Sequence, residues 1–221
     1  PKFFLAENVS GMLSKRHSSA VDKIKEMFKD VGYDLFVQLV NAKDYDVPQD
    51  RERVLYIGFR KDLKVNFEFP KPHSKKYTLE DAIKDICGKE VPAGEKNHKS
   101  NNCAVPNHEY MTGGFSTIYM SRNRVRTWNE QSFTIQAGGR HAPIHPQAPK
   151  MIKLEANKQI FVPGQEKLYR RMTVRECADV QTFPRDFVFQ YEVVSDGYKM
   201  VGNAVPVNLA KNIALQIKKF L

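Results

Sequence analysis

Between Phe69 and Lys150 the chain is punctuated too densely for long regular elements. Pro70, Pro72, Pro92 and Pro106 fall among Lys, Asn, His and Ser, and Gly113-Gly114, Gly138-Gly139 and three further prolines interrupt the remainder of the segment. Proline removes a backbone donor and glycine leaves the backbone unrestrained, so such a stretch folds as turns and short pieces. One helix candidate survives, Leu79 to Cys87, with two β-prone pieces, Ser116 to Met120 and Phe133 to Gln136. A small irregular β-rich domain is predicted for the middle, and regular core structure is left to the two ends.

The N-terminal end reads as part of an α/β sheet. Phe3-Phe4-Leu5-Ala6 is a short apolar run ending in Glu7-Asn8, the pattern of a buried strand that delivers polar groups at its C-terminal edge, where open α/β sheets place their ligands. Val21, Ile24, Met27, Phe28 and Val31 recur at helical spacing, with Ser18 or Ser19 as N-cap and Gly32 as stop. Leu35 to Val40 and Val54 to Phe59 are the next strand candidates, joined by the polar stretch Asn41 to Arg53. At the other end Thr173-Val174-Arg175-Glu176 is a capping box opening a helix to about Gln181, before Pro184. Pro206 fits the first turn of a last helix whose Ala210, Ile213, Ala214, Ile217 and Leu221 form an apolar stripe.

Composition narrows the partner. The 221 residues carry 35 Lys and Arg against 25 Asp and Glu, a formal charge of +10, which favours an acidic surface, nucleic acid first. With 41% hydrophobic and 27% charged residues, a mainly disordered chain and a collagen-like one are excluded. A chain of this size buries roughly 70% of its unfolded surface and needs no disulfide or structural metal. Cys87, Cys103 and Cys177 are odd in number and form no Cys-x-x-Cys pair, so reduced thiols are expected. His141 and His145 have the spacing of a helical metal pair, but Pro143 and Pro146 exclude the helix, and no metal site is expected. No apolar run approaches the ~20 residues of a membrane span, and the opening Pro1-Lys2-Phe3-Phe4-Leu5 lacks the pattern of a secretory signal. An intracellular, cytoplasmic protein away from membranes is expected.

Four constellations carry chemistry. Gln49, Arg51 and Arg53 are spaced by two, which in an extended segment turns all three to one face; the plain alternative is a solvated start to the next strand. Arg122, Arg124 and Arg126 repeat the pattern, and a row of guanidinium groups on one strand face clamps phosphates or reads guanine edges bidentately. Against that stands a charged edge that blocks aggregation. Glu7 is a general-acid candidate with Asn8 beside it as donor and acceptor, although a lone carboxylate at a strand edge is more often a cap or an ion-pair partner. Gly202-Asn203-Ala204-Val205-Pro206 joins a glycine turn to a helix N-terminus, where free N–H groups meet anions or polar cofactors.

In chain order, Phe4-Leu5-Ala6-Glu7-Asn8-Val9, Val47-Pro48-Gln49-Asp50-Arg51-Glu52-Arg53-Val54, Arg171-Met172-Thr173-Val174-Arg175-Glu176-Cys177-Ala178 and Gly202-Asn203-Ala204-Val205-Pro206-Val207 resemble motifs VI, VIII, IX and X of bacterial DNA (cytosine-5)-methyltransferases. The resemblance covers nearly the whole chain as that family's C-terminal part. It implies an α/β fold, the C-terminal part of a Rossmann-like, S-adenosylmethionine-dependent methyltransferase sheet plus a β-rich target-recognition domain. The implied division is 1–68 for the end of the catalytic domain, 69–190 for target recognition, and 191–221 for a return segment with the last helix on the catalytic domain. Met120 to Arg126 and Phe133 to Ala137 resemble members that modify GGCC. By that likeness Glu7 protonates or hydrogen-bonds N3 of a flipped cytosine with Asn8 in support, Arg51 and Arg53 hold the displaced nucleotide, and Gln49 is an accessory contact. Arg122, Arg124, Arg126 and Arg140 contact double-stranded DNA, and Asn203, Ala204 and Val205 close one wall of an S-adenosylmethionine pocket.

The family's Gly-rich cofactor loop and Pro-Cys nucleophile have no counterpart here, since none of the three cysteines follows a proline. The chain is therefore expected to be an isolated domain, a truncated product or one part of a split enzyme, inactive alone and dependent on the missing N-terminal half. Asp46, Asp179 and Thr182 depart from the family's usual Gly, Arg and Gly. A non-catalytic DNA-binding module is the competing reading. An RNA methyltransferase of the same fold is a third, and the sizeable arginine-bearing recognition segment argues against it.

Overall fold

The computed structural model of the chain describes residues 1–100 and 102–221. Its N-terminal part is a three-stranded sheet of β1 (Phe3–Val9), β2 (Tyr33–Asn41) and β3 (Glu52–Arg60) in the order β1-β3-β2, with β3 antiparallel to both neighbours. The central strand is apolar on both faces because both are covered. Val54 and Tyr56 pack with Val21 of helix α1 (Ser18–Asp30), while Leu55, Ile57 and Phe59 pack with Leu209, Ile213 and Ile217 of the last helix.

Two expectations change here. β1 is an edge strand rather than a buried one, so Leu5 is 44% exposed. On α1 only Val21 is buried, and Met27 and Val31 of its proposed stripe lie in solvent. Gly32 follows at φ +89°, the left-handed position that ends helices.

The middle is less regular than its β-rich forecast. The candidate at Leu79 shortens to α2 (Leu79–Ile83) followed by a 3-10 turn, Lys84–Ile86. Its strands are two small ladders, β4 (Val91–Pro92) with β5 (Glu109–Tyr110) and β6 (Ile152–Glu155) with β7 (Lys158–Ile160). Neither Ser116 to Met120 nor Phe133 to Gln136 is a strand, and Tyr119–Ser121 is a 3-10 turn.

Helix α3 (Val174–Val180) begins at the expected capping box, with Thr173 Oγ1 accepting from the Glu176 N–H and Glu176 accepting from the Thr173 N–H. It packs with α2 and with α4 (Val194–Asn203), a helix that the sequence pattern did not reveal. The last helix, α5 (Val207–Lys218), has Pro206 as N-cap. It buries Leu209, Ile213 and Ile217, leaving Ala210, Ala214 and Leu221 of the expected stripe exposed. The segment after 191 thus divides between the α2–α3 core and the sheet. No helix among the described residues is long and apolar enough to cross a membrane.

One ion pair anchors the start of α3. Arg170 donates from both terminal nitrogens to Glu176, each at 2.8 Å, and from Nε to Glu90 at 3.2 Å. Burial alone would raise the Glu176 carboxyl, yet the Arg170 guanidinium, His145 and the Thr173 N–H hold it below the usual carboxylate range. Removing one partner of such a buried pair leaves a charge with nothing to meet it. Glu176→Ala is expected to cost about 3–5 kcal/mol, read as a lower urea midpoint with an unchanged m-value.

Candidate functional site

Strand register builds the polar end of the sheet. Glu7 lies opposite Leu55 and Val9 opposite Arg53, so Glu7 and Arg53 are diagonal neighbours on the face that α5 covers. Arg53 Nε is 2.6 Å from Glu7 Oε1, with side-chain exposures of 13% and 25%. Asn8 is exposed, and its Oδ1 accepts from the Val9 N–H at 2.8 Å.

Gln49 and Arg51 turn inward instead of sharing a solvent face with Arg53; they are 0% and 2% exposed. Arg51 donates from Nη1 to the Ile135 carbonyl at 3.0 Å, and from Nη2 to the Gly202 and Ala204 carbonyls at 3.0 and 2.9 Å. Gln49 Oε1 accepts from the Ile135 N–H at 3.2 Å. Burial, helped by the Arg53 charge and opposed by Glu7, lowers Arg51 to about 10, so it remains a cation at neutral pH. The expected contacts of Arg51 and Gln49 to a nucleotide are therefore corrected: these groups are spent on backbone. Arg53 alone of the three reaches open space.

The expected row of arginines on one strand face is also absent. Val125 makes a single bridge to Ile144, and the flanking side chains diverge. Arg122 is exposed. Arg124 donates to the Tyr119 and Ile118 carbonyls at 2.7 and 3.0 Å and lies over the Tyr119 ring; burial, then the Arg122 charge, lowers its pKa. Arg126 faces away, over the Phe133 ring and 3.2 Å from Glu130. Glu130 is held down at about 2 by the Thr127 N–H first, against a burial penalty, with the Thr127 hydroxyl, Arg126 and Lys150 adding to the lowering.

A cleft of about 450 Å³ separates the two groups, with Ser10 and Arg53 on the sheet side and Arg122, Arg124, Thr134, Gln136 and His141 opposite. Ser10 went unnoticed in the sequence, His141 was weighed only as half of a metal pair, and Thr134 and Gln136 stood out only as part of the Phe133 to Ala137 string. The available signal was the alternation of Thr134 and Gln136 about apolar Ile135. Arg140 is exposed in the turn Gly139–His141 but does not line this cleft. Asn203, Ala204 and Val205 diverge: Asn203 borders a shallow opening with Gln190 and Asp196, Ala204 gives its carbonyl to Arg51, and Val205 joins Phe3, Leu5 and Ile213 in an apolar groove.

The cysteines lie outside the cleft. Burial first, then a nearby Glu176 or Glu109, pushes the Cys87 and Cys103 thiols up to about 11, and Cys177 goes well above its usual value. Glu90, His108 and Glu176 bring ligand-type atoms within 4.8 Å of one another. Arg170 occupies both carboxylates, and His108 Nε2 lies 3.0 Å from the Ile86 carbonyl. A carbonyl only accepts, so that nitrogen bears the proton and does not ligate.

The family model for C-5 cytosine-specific DNA methylase matches residues 1–219. The chain belongs to this family. It is 59% identical over 222 residues to the Type II methyltransferase M.MthTI of Methanothermobacter thermautotrophicus, covering 100% of this chain and 67% of that protein. It is 56% identical over 225 residues to M.FnuDI of Fusobacterium nucleatum, covering 100% and 65%. The chain thus spans about two thirds of the length of these relatives. Among solved structures, the Entamoeba histolytica methyltransferase EhMeth matches with a TM-score of 0.61 at 14% identity, covering 100% of this chain and 62% of that one. A Spodoptera frugiperda DNMT2 mutant matches at 0.62 and 17%, covering 99% and 66%. These distant likenesses show the shared methylase fold.

The three departures from the family pattern border one second cleft, of about 270 Å³. Asp46 and Thr182, where the resemblance leads one to expect Gly, sit at φ +59° and +60°, a conformation that strains a β-branched residue. The Thr182 hydroxyl accepts from the Asn208 N–H at 2.9 Å, and the Asp46 carbonyl from Asn208 Nδ2 at 3.0 Å, which ties both turns to the first turn of α5. Asp179 is buried; burial raises it to about 6, against the pull of Arg185 and Arg175. An acid raised in the folded state contributes stability that is full below its unfolded value, near 4, and is lost as pH rises through about 6. That component amounts to up to about 3 kcal/mol. In urea titrations from pH 4 to 8, Asp179→Asn is expected to lack this decline, so the stability difference between variant and parent grows between about pH 4 and 6 and levels off above that.

Proposed function

We propose that this chain is the DNA-recognising and target-base-binding part of a DNA (cytosine-5)-methyltransferase of a restriction-modification system, acting at GGCC. The observation that carries the reading is the cleft with Arg53 on one wall and Arg122 and Arg124 on the other, Glu7 standing behind that wall as the ion-pair partner of Arg53. A base inside a duplex is reached by flipping it out, and a cytosine displaced towards Arg53 meets Glu7 there. Arg53 fixes Glu7 Oε1, which leaves Oε2 to hydrogen-bond or protonate ring N3 and make C6 more electrophilic. Arg53 holds the nucleotide, Asn8 supports the end of β1, Arg122 reads a guanine edge bidentately, and Arg124, whose Nε and Nη2 are held by backbone carbonyls, reaches a base with the N–H groups left to it. Arg126 and Arg140, off the cleft wall, serve the phosphate backbone at most.

The family takes its methyl group from S-adenosylmethionine. The described residues do not form a pocket for it by themselves, because Asn203 and Val205 border different openings and the groove at Val205 is almost wholly apolar. That groove, between edge strand β1 and α5, suits the family's N-terminal segment, which would bring the cofactor loop and the nucleophile. The unactivated cysteines favour the competing module reading only for the chain by itself.

Labelled S-adenosylmethionine and a GGCC duplex test this. The chain alone is expected to transfer no label, and the chain with the N-terminal third of M.MthTI to transfer it. Label transferred by the chain alone, and lost on Cys→Ser replacement, would show one of these thiols to be the nucleophile and sink the half-enzyme reading. In the complemented enzyme Glu7→Gln should lower turnover by roughly 10²–10⁴-fold with DNA affinity unchanged. Arg122→Ala or Arg124→Ala should each lose about 1–3 kcal/mol at one base pair, whereas Arg126→Ala should leave base preference intact.

A further inference from the structure

Gln136 is a cleft side chain on a backbone held by its neighbours, with no hydrogen bond from its amide to another described residue. Immediately before it, Ile135 is 1% exposed and fixed on both polar groups: its N–H donates to Gln49 Oε1, and its carbonyl accepts from Arg51 Nη1. The Asp50 N–H donates to the Ser132 carbonyl and the Ser132 N–H to the Pro48 carbonyl, each at 2.9 Å, and Thr134 Oγ1 donates to the Asp50 carbonyl at 2.7 Å. Gln136 itself accepts from the Gly138 N–H at 2.8 Å, and its carbonyl lies where a Cβ on Gly202 would come within 2.3 Å. Only a glycine at 202 permits that approach.

With Ile135 pointing into the core, Thr134 and Gln136 both face the cleft beside Arg122 and Arg124. The Thr134 hydroxyl proton is already spent. Gln136 is exposed, and neither its Oε1 nor its Nε2 hydrogen-bonds another described residue. An amide offers a donor and an acceptor in one plane. Held on a locked backbone, it is suited to a directional contact rather than to the charge-driven grip that a lysine or arginine gives a phosphate.

Building on the proposed function, we propose that Gln136 is a specificity-determining residue that reads a G·C edge in the major groove. Its Nε2 donates to guanine O6 or N7, or its Oε1 accepts from cytosine N4. Arg51 and Gln49 are its positioning residues, acting through Ile135 and touching no DNA.

The test measures binding of the chain to a GGCC duplex, to duplexes with each base pair replaced in turn, and to a scrambled duplex, at fixed salt. For Gln136→Ala the expected result is a loss of about 5- to 150-fold on the GGCC duplex. Scrambled-duplex affinity should not change, and replacement of one particular base pair should no longer matter. Gln136→Glu keeps the acceptor and loses the donor; it should weaken GGCC binding if guanine is read and tolerate it if cytosine N4 is read. Arg51→Lys, which cannot bridge the three carbonyls, should reproduce the loss at the same base pair with the salt slope unchanged. An equal loss on every duplex, or none on any, overturns the inference while the parent still prefers GGCC. A parent that binds GGCC and scrambled duplexes alike overturns the proposed target together with it.

Discussion

The guanidinium of Arg51 is the contact on which the remainder of the site depends. Taking such a cation out of water costs several kcal/mol unless its N–H groups are met. Here the two terminal nitrogens are met by carbonyls from Ile135 in the middle segment, Gly202 in the last turn of α4 and Ala204 just after it. No carboxylate among the described residues hydrogen-bonds it directly, Glu7 acting only at a distance, and the arginine is held where those three carbonyls converge. The start of β3, the middle segment and the α4–α5 junction are thereby tied together. The cleft between Arg53 and Arg124 inherits its shape from that union.

The same device recurs through the irregular middle of the chain. A segment with few strands leaves many carbonyls without ladder partners, and buried carbonyls must be satisfied. Arginine forks do this repeatedly. Arg171 donates to the Gly113 and Gly114 carbonyls, Arg175 to those of Pro106 and Phe187, and Arg124 to those of Ile118 and Tyr119. A good part of the +10 charge is therefore scaffolding. The positive balance still points to an acidic partner, but counting arginines overstates how many reach one.

Legibility in the sequence followed the range of the forces involved. Strands β2 and β3, α1, the capping box of α3 and the start of α5 were all readable, because apolar periodicity and caps act over a few residues. The Glu7–Arg53 pairing was half legible: both residues stood out, but only the antiparallel register of β1 on β3 makes them neighbours. The arginine triplet was misread because spacing by two means a common face only in a strand, and the turn at Tyr119–Ser121 with the isolated bridge at Val125 leaves none. Helix α4 was missed because Val194, Tyr198 and Val201 are too few to make a convincing stripe without the α3 surface they pack against.

What the sequence determined by itself is the family and the α/β character of the N-terminal part, and it singled out Glu7, Arg53, Arg122 and Arg124 as candidates, since each is written in local strings of residues. Tertiary structure alone decided which guanidinium groups are free. Arg51 and Arg53 are two positions apart and chemically identical, yet one is buried against three carbonyls and the other opens on a cleft. That difference comes from Ile135 and from the Gly202–Ala204 turn, 84 and more residues away in the chain. No local pattern encodes it, because the cost of burying the charge is set by partners that only folding brings near.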